Sequence, residues 1–348
     1  MNLTTVIERY QAGFETQYAG RISPDQRHAL GAALSCRTER YGEMKLRCTS
    51  CHWQQSRFNS CGHRSCHRCQ NHDTTRWLER QMQKLLPVEY FMVTFTLPYE
   101  LRAVVRQHQA EVYSAMFACA ASTLKSFGAN DTKLGSDMGM TAVLHTHSRR
   151  LDYHPHIHLV VPGGCLNRRR KQWKKLRGHY LFNEFALAKV FRARLLDALR
   201  ILGLNLPQVP RQWVANCRNV GKGKPALKYL SRYLYRGVVS ENNIVSDDGT
   251  HITFRYMDSQ TGKVGTRKIT GEHFLWLVFQ HVLPKGFRRV RDYGFLHGNS
   301  KRILRLIQTV LRVVIISSPA AIRPSFKCLR CKSPMLIIAF IPPSWRST

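Results

Sequence analysis

Six of the chain's eleven cysteines fall between Cys36 and Cys69, interleaved with histidines. The spacing Cys48-x2-Cys51-x14-Cys66-x2-Cys69 is that of a two-knuckle zinc site, because each CxxC turn aims two thiolates at one ion. Cys36, Cys61 and His63 remain, and with His52, His67 or His72 they offer ligands for a second, interleaved ion. A segment of this kind folds as a small zinc-held domain. Cys328-x2-Cys331 has no second pair near it in sequence, and Cys119, Cys165 and Cys217 read as isolated buried thiols. The opening, Met1 to Arg9, has no basic region followed by an apolar core, and no later apolar run approaches the ~18 residues of a membrane span. The expectation is a cytoplasmic protein without a membrane partner, its cysteines on metal rather than in disulfides.

Charge narrows the partner. The chain carries 54 Lys and Arg against 21 Asp and Glu, a formal net charge of +33. Solubility does not require so lopsided a sign, and the obvious partner is nucleic acid. A hydrophobic fraction of 43% with 16 Phe excludes a disordered basic tail. The 348 residues suggest a helical and zinc-binding part over 1–86, a central part over 87–290 and a basic C-terminal region over 291–348. From Pro284 onward the sole acidic residue is Asp292, so that region is expected to lie against nucleic acid or stay poorly ordered.

Ser23-Pro24-Asp25 opens a helix, and another is expected from about Asp73 to Leu86, stopped by Pro87. Tyr90 to Leu97, aromatic and β-branched up to Pro98, reads as a strand. A long helix is expected over 99–127. Strands over Thr141–His147 and His154–Val161 flank the polar turn Ser148-Arg149-Arg150, and a helix over 183–202 precedes a short strand near Gln212 to Ala215. His251–Tyr256 and Val264–Ile269 form a hairpin. The pattern is that of an α+β domain on a mostly antiparallel sheet flanked by helices.

On a strand, residues i and i+2 share a face, so His156 and His158 set two imidazoles side by side with Ile157 behind them. His145, on the preceding strand, supplies a third if the two strands pair, leaving coordination positions for a phosphate oxygen and water. His154 competes for the third place, but Pro155 disturbs ladder geometry there. On a helix, residues i and i+4 lie one turn apart, so Tyr229 and Tyr233 present two phenols to one point. Lys222, Lys224, Lys228, Arg232 and Arg236 surround them with charge that binds phosphate and favours phenolate. A metal that polarises a phosphate and a tyrosine that attacks it are the parts needed to cut DNA and hold the end covalently, leaving a free 3′-hydroxyl. All-imidazole ligation tolerates Mn²⁺, Co²⁺ or Zn²⁺ better than Mg²⁺, while cellular abundance favours Mg²⁺, so Mg²⁺ or Mn²⁺ is expected there and Zn²⁺ at the cysteines.

Five segments together resemble rolling-circle transposases of the insertion sequence 91 family: Asn59 to Cys66, Val93 to Pro98, His145 to His158, Tyr229-Leu230-Ser231-Arg232-Tyr233, and Leu283-Pro284-Lys285-Gly286-Phe287-Arg288. The resemblance spans about residues 25–300. It implies an HUH endonuclease domain with His156 and His158 as the HUH pair, Tyr229 and Tyr233 as nucleophiles, and single-stranded DNA at element ends, with target DNA, as partners. Bacterial location, at the nucleoid when bound to DNA, follows from it. His147 stands where an aromatic is expected, and Ser65 and His67 where His and Pro are frequent. The competing functions are a plasmid rolling-circle replication initiator or relaxase, and a non-catalytic zinc-dependent DNA-binding protein.

Overall fold

The computed structural model describes residues 2–69, 71–131, 134, 138–167, 170–234, 238–258, 261–314 and 326–343, without the side chains of 71–73 and 232–234. The chain opens with α1 (Leu3–Gln17) and α2 (Pro24–Leu34). Ser23 caps α2: its Oγ accepts from the Gln26 N–H at 3.2 Å, and the Gln26 side chain accepts from the Ser23 N–H at 2.8 Å. Strands β1 (Glu43–Cys48) and β2 (Gln54–Phe58) lead to α3 (Asn71–Met82), β3 (Tyr90–Thr96), α4 (Arg102–Gln107) and α5 (Gln109–Asn130). The long helix expected over 99–127 is thus divided at His108, whose φ of −125° and ψ of 49° break the helical path. Next come β4 (Met140–His147) and β5 (Tyr153–Pro162), then the ribbon of β6 (Gly164–Asn167) and β7 (Gln172–Lys175). After α6 (Glu184–Ile201), β8 (Ala215–Asn219) starts later than the Gln212–Ala215 expected, since Pro207 and Pro210 keep the approach irregular. The order then runs α7 (Lys224–Leu234), β9 (Ile244–Asp247), β10 (His251–Met257), β11 (Val264–Thr270), α8 (Gly271–Phe279), β12 (Val290–Tyr293), α9 (Lys301–Val310), β13 (Phe326–Lys327) and β14 (Pro334–Ile341).

The central sheet has the order β12-β4-β5-β3-β8, with every pairing antiparallel. The period of two gives it two unlike faces. Phe91, Val93, Phe95, Leu144, Ile157 and Leu159 join Phe117 and Leu124 of α5 and Phe191 and Leu195 of α6 in one core. The opposite face carries Thr94, Thr96, His145, His156 and His158. Part of it is covered by α7, whose Leu227 and Leu230 bury against Trp77 of α3 and Val143 and Val160 of the sheet. Gly223 permits this approach: its φ is +79°, and a Cβ there would meet the Tyr90 ring at 2.7 Å.

The chain's ends are joined to each other and to the centre. β14 pairs antiparallel with β1, Cys48 opposite Met335, in a sheet ordered β13-β14-β1-β2. The C-terminal region, expected to lie against nucleic acid or stay poorly ordered, is folded in its described part, because its apolar strand completes the N-terminal sheet. Ile307 of α9 is buried with Trp77 and Phe295. Ile7, Tyr10, Phe14 and Leu30 of α1 and α2 pack on Phe274, Leu275 and Phe279 of α8. These contacts cross all three expected spans, 1–86, 87–290 and 291–348. Among the described residues no helix is long and apolar enough to cross a membrane.

Candidate functional site

β4 and β5 pair so that His145 stands opposite His156. One nitrogen from each of His145, His156 and His158 lies within 4.8 Å of the others. The neighbours of two of the rings hold them in place. His156 Nδ1 is 2.7 Å from the His154 carbonyl oxygen, which only accepts, so Nδ1 carries the proton and Nε2 the lone pair. His158 Nδ1 is 2.8 Å from Thr94 Oγ1, while its buried Nε2 meets no hydrogen-bond partner among the described residues. Leaving a buried nitrogen unsatisfied is costly unless something else occupies its lone pair. Three convergent imidazoles with such anchoring fit a divalent ion, Mn²⁺ by donor type better than Mg²⁺. Burial pushes His158 down to about 4, and burial followed by the neighbouring imidazoles holds His145 and His156 well below the usual histidine range. All three are thereby kept in the neutral, ligating form.

His154 shares this face but stands outside the trio, its Nδ1 accepting from the Arg102 guanidinium at 2.9 Å. The register slips between His145 and His147, which pairs with Tyr153. Pro155, with no N–H to give the ladder, lies at that slip.

Tyr229 reaches the trio from α7. Its ring centroid is 6.0 Å from that of His158 and 6.5 Å from that of His145. Tyr233 continues α7 one turn on, but its side chain lies outside the described residues, as do the Arg232 side chain and Arg236. The trio and Tyr229 line a cleft of about 960 Å³ that extends to Arg255 and Tyr256 of β10. Among the described residues its lining cations are Arg149, Arg218 and Arg255. Lys222, Lys224 and Lys228 are exposed beside the cleft, and Lys222 pairs with Glu89 at 3.0 Å. Thr94, Asn216 and Arg218 escaped the sequence reading. Alternation places Thr94 and Thr96 on one strand face, yet the neighbour of that strand was not legible.

The cysteines group otherwise than their spacing suggests. Cys48, Cys51, Cys66 and Cys69 do not share one site. One cluster is Cys36, Cys61, Cys66 and Cys69; the other is Cys48, Cys51, Cys328 and Cys331, the Sγ atoms of each within 4.8 Å of one another. Cys36 to Cys69 is 3.4 Å, Cys61 to Cys69 is 3.5 Å, Cys48 to Cys331 is 3.4 Å and Cys51 to Cys328 is 3.7 Å. Zn–S bonds of about 2.3 Å in a tetrahedron separate sulfurs by roughly 3.8 Å, so both donor sets fit zinc. His63 is not needed as a ligand: its Nδ1 accepts from the Ser65 N–H at 3.2 Å, and four cysteines complete the cluster without it. In the first cluster Cys66 is drawn down to about 5, chiefly by the Cys61 thiol; in the second Cys331 is drawn down to about 6, chiefly by Ser333, and Cys328 is lowered as well. The physical reason for the regrouping is the β1–β14 pairing, which carries the C-terminal knuckle back to the N-terminal one.

A family model described as "Putative transposase" matches residues 139–303, and one described as "Transposase zinc-binding domain" matches residues 6–97. "Putative transposase y4qJ" of Sinorhizobium fredii is 33% identical over 329 residues, covering 87% of this chain and 82% of that protein. The chain belongs to the insertion sequence 91 family of transposases. The transposase is also 27% identical over 284 residues to "Transposase for insertion sequence element IS801" of Pseudomonas savastanoi pv. phaseolicola, covering 76% of this chain and 68% of that one. Among solved structures it matches a conjugative relaxase TrwC in complex with OriT DNA, metal-bound, at 18% identity and a TM-score of 0.29, over 66% of this chain and 74% of that one. That superposition is too loose to carry an argument.

Proposed function

We propose that this transposase is an HUH-type nuclease and strand transferase that cuts single-stranded DNA at element ends and holds the cut end on tyrosine. The observation that carries the reading is the position of Tyr229, beside His158 and His145 on the wall of a cleft lined by arginines. His145, His156 and His158 would hold Mg²⁺ or Mn²⁺, whose contribution when bound is Lewis acidity toward a non-bridging phosphate oxygen. Thr94 and the His154 carbonyl fix the rings of His158 and His156. Arg149, Arg218 and Arg255 bind the phosphates on either side of the cut. The Tyr229 Oη attacks phosphorus, the P–O3′ bond breaks, and the phenolic proton ends on the departing 3′-oxygen. The product is a 5′-phosphotyrosine, which conserves the phosphodiester energy for rejoining. Tyr233, one turn on, is the second nucleophile.

The two four-cysteine clusters would each hold a structural Zn²⁺, and the one built from Cys48, Cys51, Cys328 and Cys331 would tie the C-terminal knuckle to the N-terminal one. Membership of the family argues against the replication-initiator and relaxase readings. A non-catalytic DNA-binding protein is separated by experiment. Incubated with single-stranded oligonucleotides from an element end and Mn²⁺, the protein should give a covalent adduct on a denaturing gel that Tyr229→Phe and Tyr233→Phe together abolish. An adduct that persists in the double variant would overturn the nucleophile assignment.

A further inference from the structure

A second cavity, of about 430 Å³, adjoins the histidine cleft. Arg102 lines this cavity and His154 lines the cleft, so their 2.9 Å contact is part of the partition between the two. The volume falls within the ~300–1,000 Å³ of small-molecule sites.

Rings and guanidinium groups alternate around it. Tyr18 and Trp276 stack with centroids 4.8 Å apart and planes 4° from parallel, and the Arg21 guanidinium lies 4.5 Å from the Trp276 ring centroid. Arg106 lies 4.7 Å over Tyr153, and Arg102 lies 4.9 Å over Tyr99. Tyr99 is nevertheless 74% exposed, a large ring kept at the surface of a cationic pocket. The carboxylates among the lining residues are Glu100 and Asp152 against Arg21, Arg102, Arg106 and Arg267; Arg267 takes Asp152 at 2.8 Å, while Arg102 and Arg106 each give one N–H to a neutral acceptor, His154 and Gln280, and keep other donors. A purely apolar ligand would leave these guanidinium groups unused, and a lone phosphate would leave the rings unused. A nucleotide uses both, its base on the ring and its phosphates on the arginines.

We propose that this cavity receives an unpaired base of the single strand adjoining the cut, with Tyr99 as the stacking platform and Arg21 and Arg106 contacting the flanking phosphates. The inference rests on the reading that the histidine cleft holds single-stranded DNA. It gives the transposase a means of holding the strand in register beside the trio that does not depend on base pairing.

The test uses the full chain and two fluorescent probes of equal charge: a thymidine oligonucleotide about 20 nucleotides long, longer than the ~4–16 nucleotides typical of a single-strand binding site, and an abasic oligomer of the same length. Tyr99→Ala should weaken thymidine binding about tenfold, within the range for losing one stacked base, and leave abasic binding unchanged. Tyr99→Phe should restore thymidine binding. Unaltered thymidine binding in Tyr99→Ala, or equal loss for both probes, would overturn the pocket while leaving the cleavage reading standing. A wild-type protein that binds neither probe at low salt would overturn both.

Discussion

The Thr94 hydroxyl lies 2.8 Å from His158 Nδ1 across the β3–β5 pairing, on the side of the ring opposite the Nε2 that faces the other two imidazoles. Outer hydrogen bonds of this kind fix ring orientation, and their loss typically lowers metal affinity or activity about 10–100-fold. Thr94→Val should therefore raise the Mn²⁺ concentration for half-maximal oligonucleotide cleavage by that order, and Thr94→Ser should restore it. An unchanged Mn²⁺ dependence in Thr94→Val would show that the hydroxyl does not position the ring.

His156→Ala, His158→Ala and His145→Ala should each abolish nicking while leaving the far-ultraviolet circular dichroism spectrum near wild type. His154→Ala should be milder, since His154 Nδ1 is committed to Arg102. Activity lost only in the His154 variant would displace His145 from the trio.

Tyr229→Phe and Tyr233→Phe keep the ring and remove the oxygen. Two phenols at i and i+4 cannot align with the same bond at once, so they should act in succession. Each single variant should retain some nicking and lose complete transposition in an element-excision assay. Normal transposition by either would return that tyrosine to the packing face of α7.

Metal analysis of the full chain should find two zinc ions. Cys331→Ser should lower the count to one and destabilise the β1–β14 pairing, because structural zinc in small domains contributes an apparent ~10–16 kcal/mol to folding. Cys66→Ser should remove the other ion. A full zinc complement in Cys331→Ser would detach the C-terminal knuckle from the site.

His281 provides the pH test. It is buried, its Nε2 donates to the Leu151 carbonyl at 3.1 Å, and burial lowers it to about 3. An unfolded histidine takes a proton near 6.5. Between those values the unfolded state binds one proton more, so stability falls as pH drops through the window, by up to ~1.4 kcal/mol per pH unit for this group. Urea titrations at pH 6.5 and 4.5 should show a smaller acid loss for His281→Gln than for wild type. Equal losses would mean that His281 is protonated in the folded state.

Local signals carried far in this chain. The Ser23-Pro24 start of α2, the strand from Tyr90, the pairing of the His145 and His156 strands and the hairpin before Gly271 all depend on neighbours within a few residues or across one turn, where periods of two and 3.6 and turn chemistry decide the backbone. The histidine trio was legible for the same reason: once two sequence-adjacent strands pair, alternation dictates which imidazoles meet.

The cysteines of the two clusters were legible as a set of residue types but not as a grouping. Cys51 and Cys328 meet at 3.7 Å across 277 residues, and Cys48 and Cys331 at 3.4 Å across 283. Knuckle spacing says only that two thiolates of one turn point the same way; which second knuckle faces them depends on which strand β1 recruits. The cleft's arginines follow the same rule. Lys222, Lys224 and Lys228 are close to Tyr229 in sequence, whereas Arg149, Arg218 and Arg255 reach the cleft from three separate elements. Residue order alone carries the chemistry: imidazoles on a strand, phenols on a helix, thiolates in pairs and an excess of positive charge. Tertiary structure decided which of those groups share a site, because contacts between distant segments are set by the burial of whole faces, a property that no local spacing encodes.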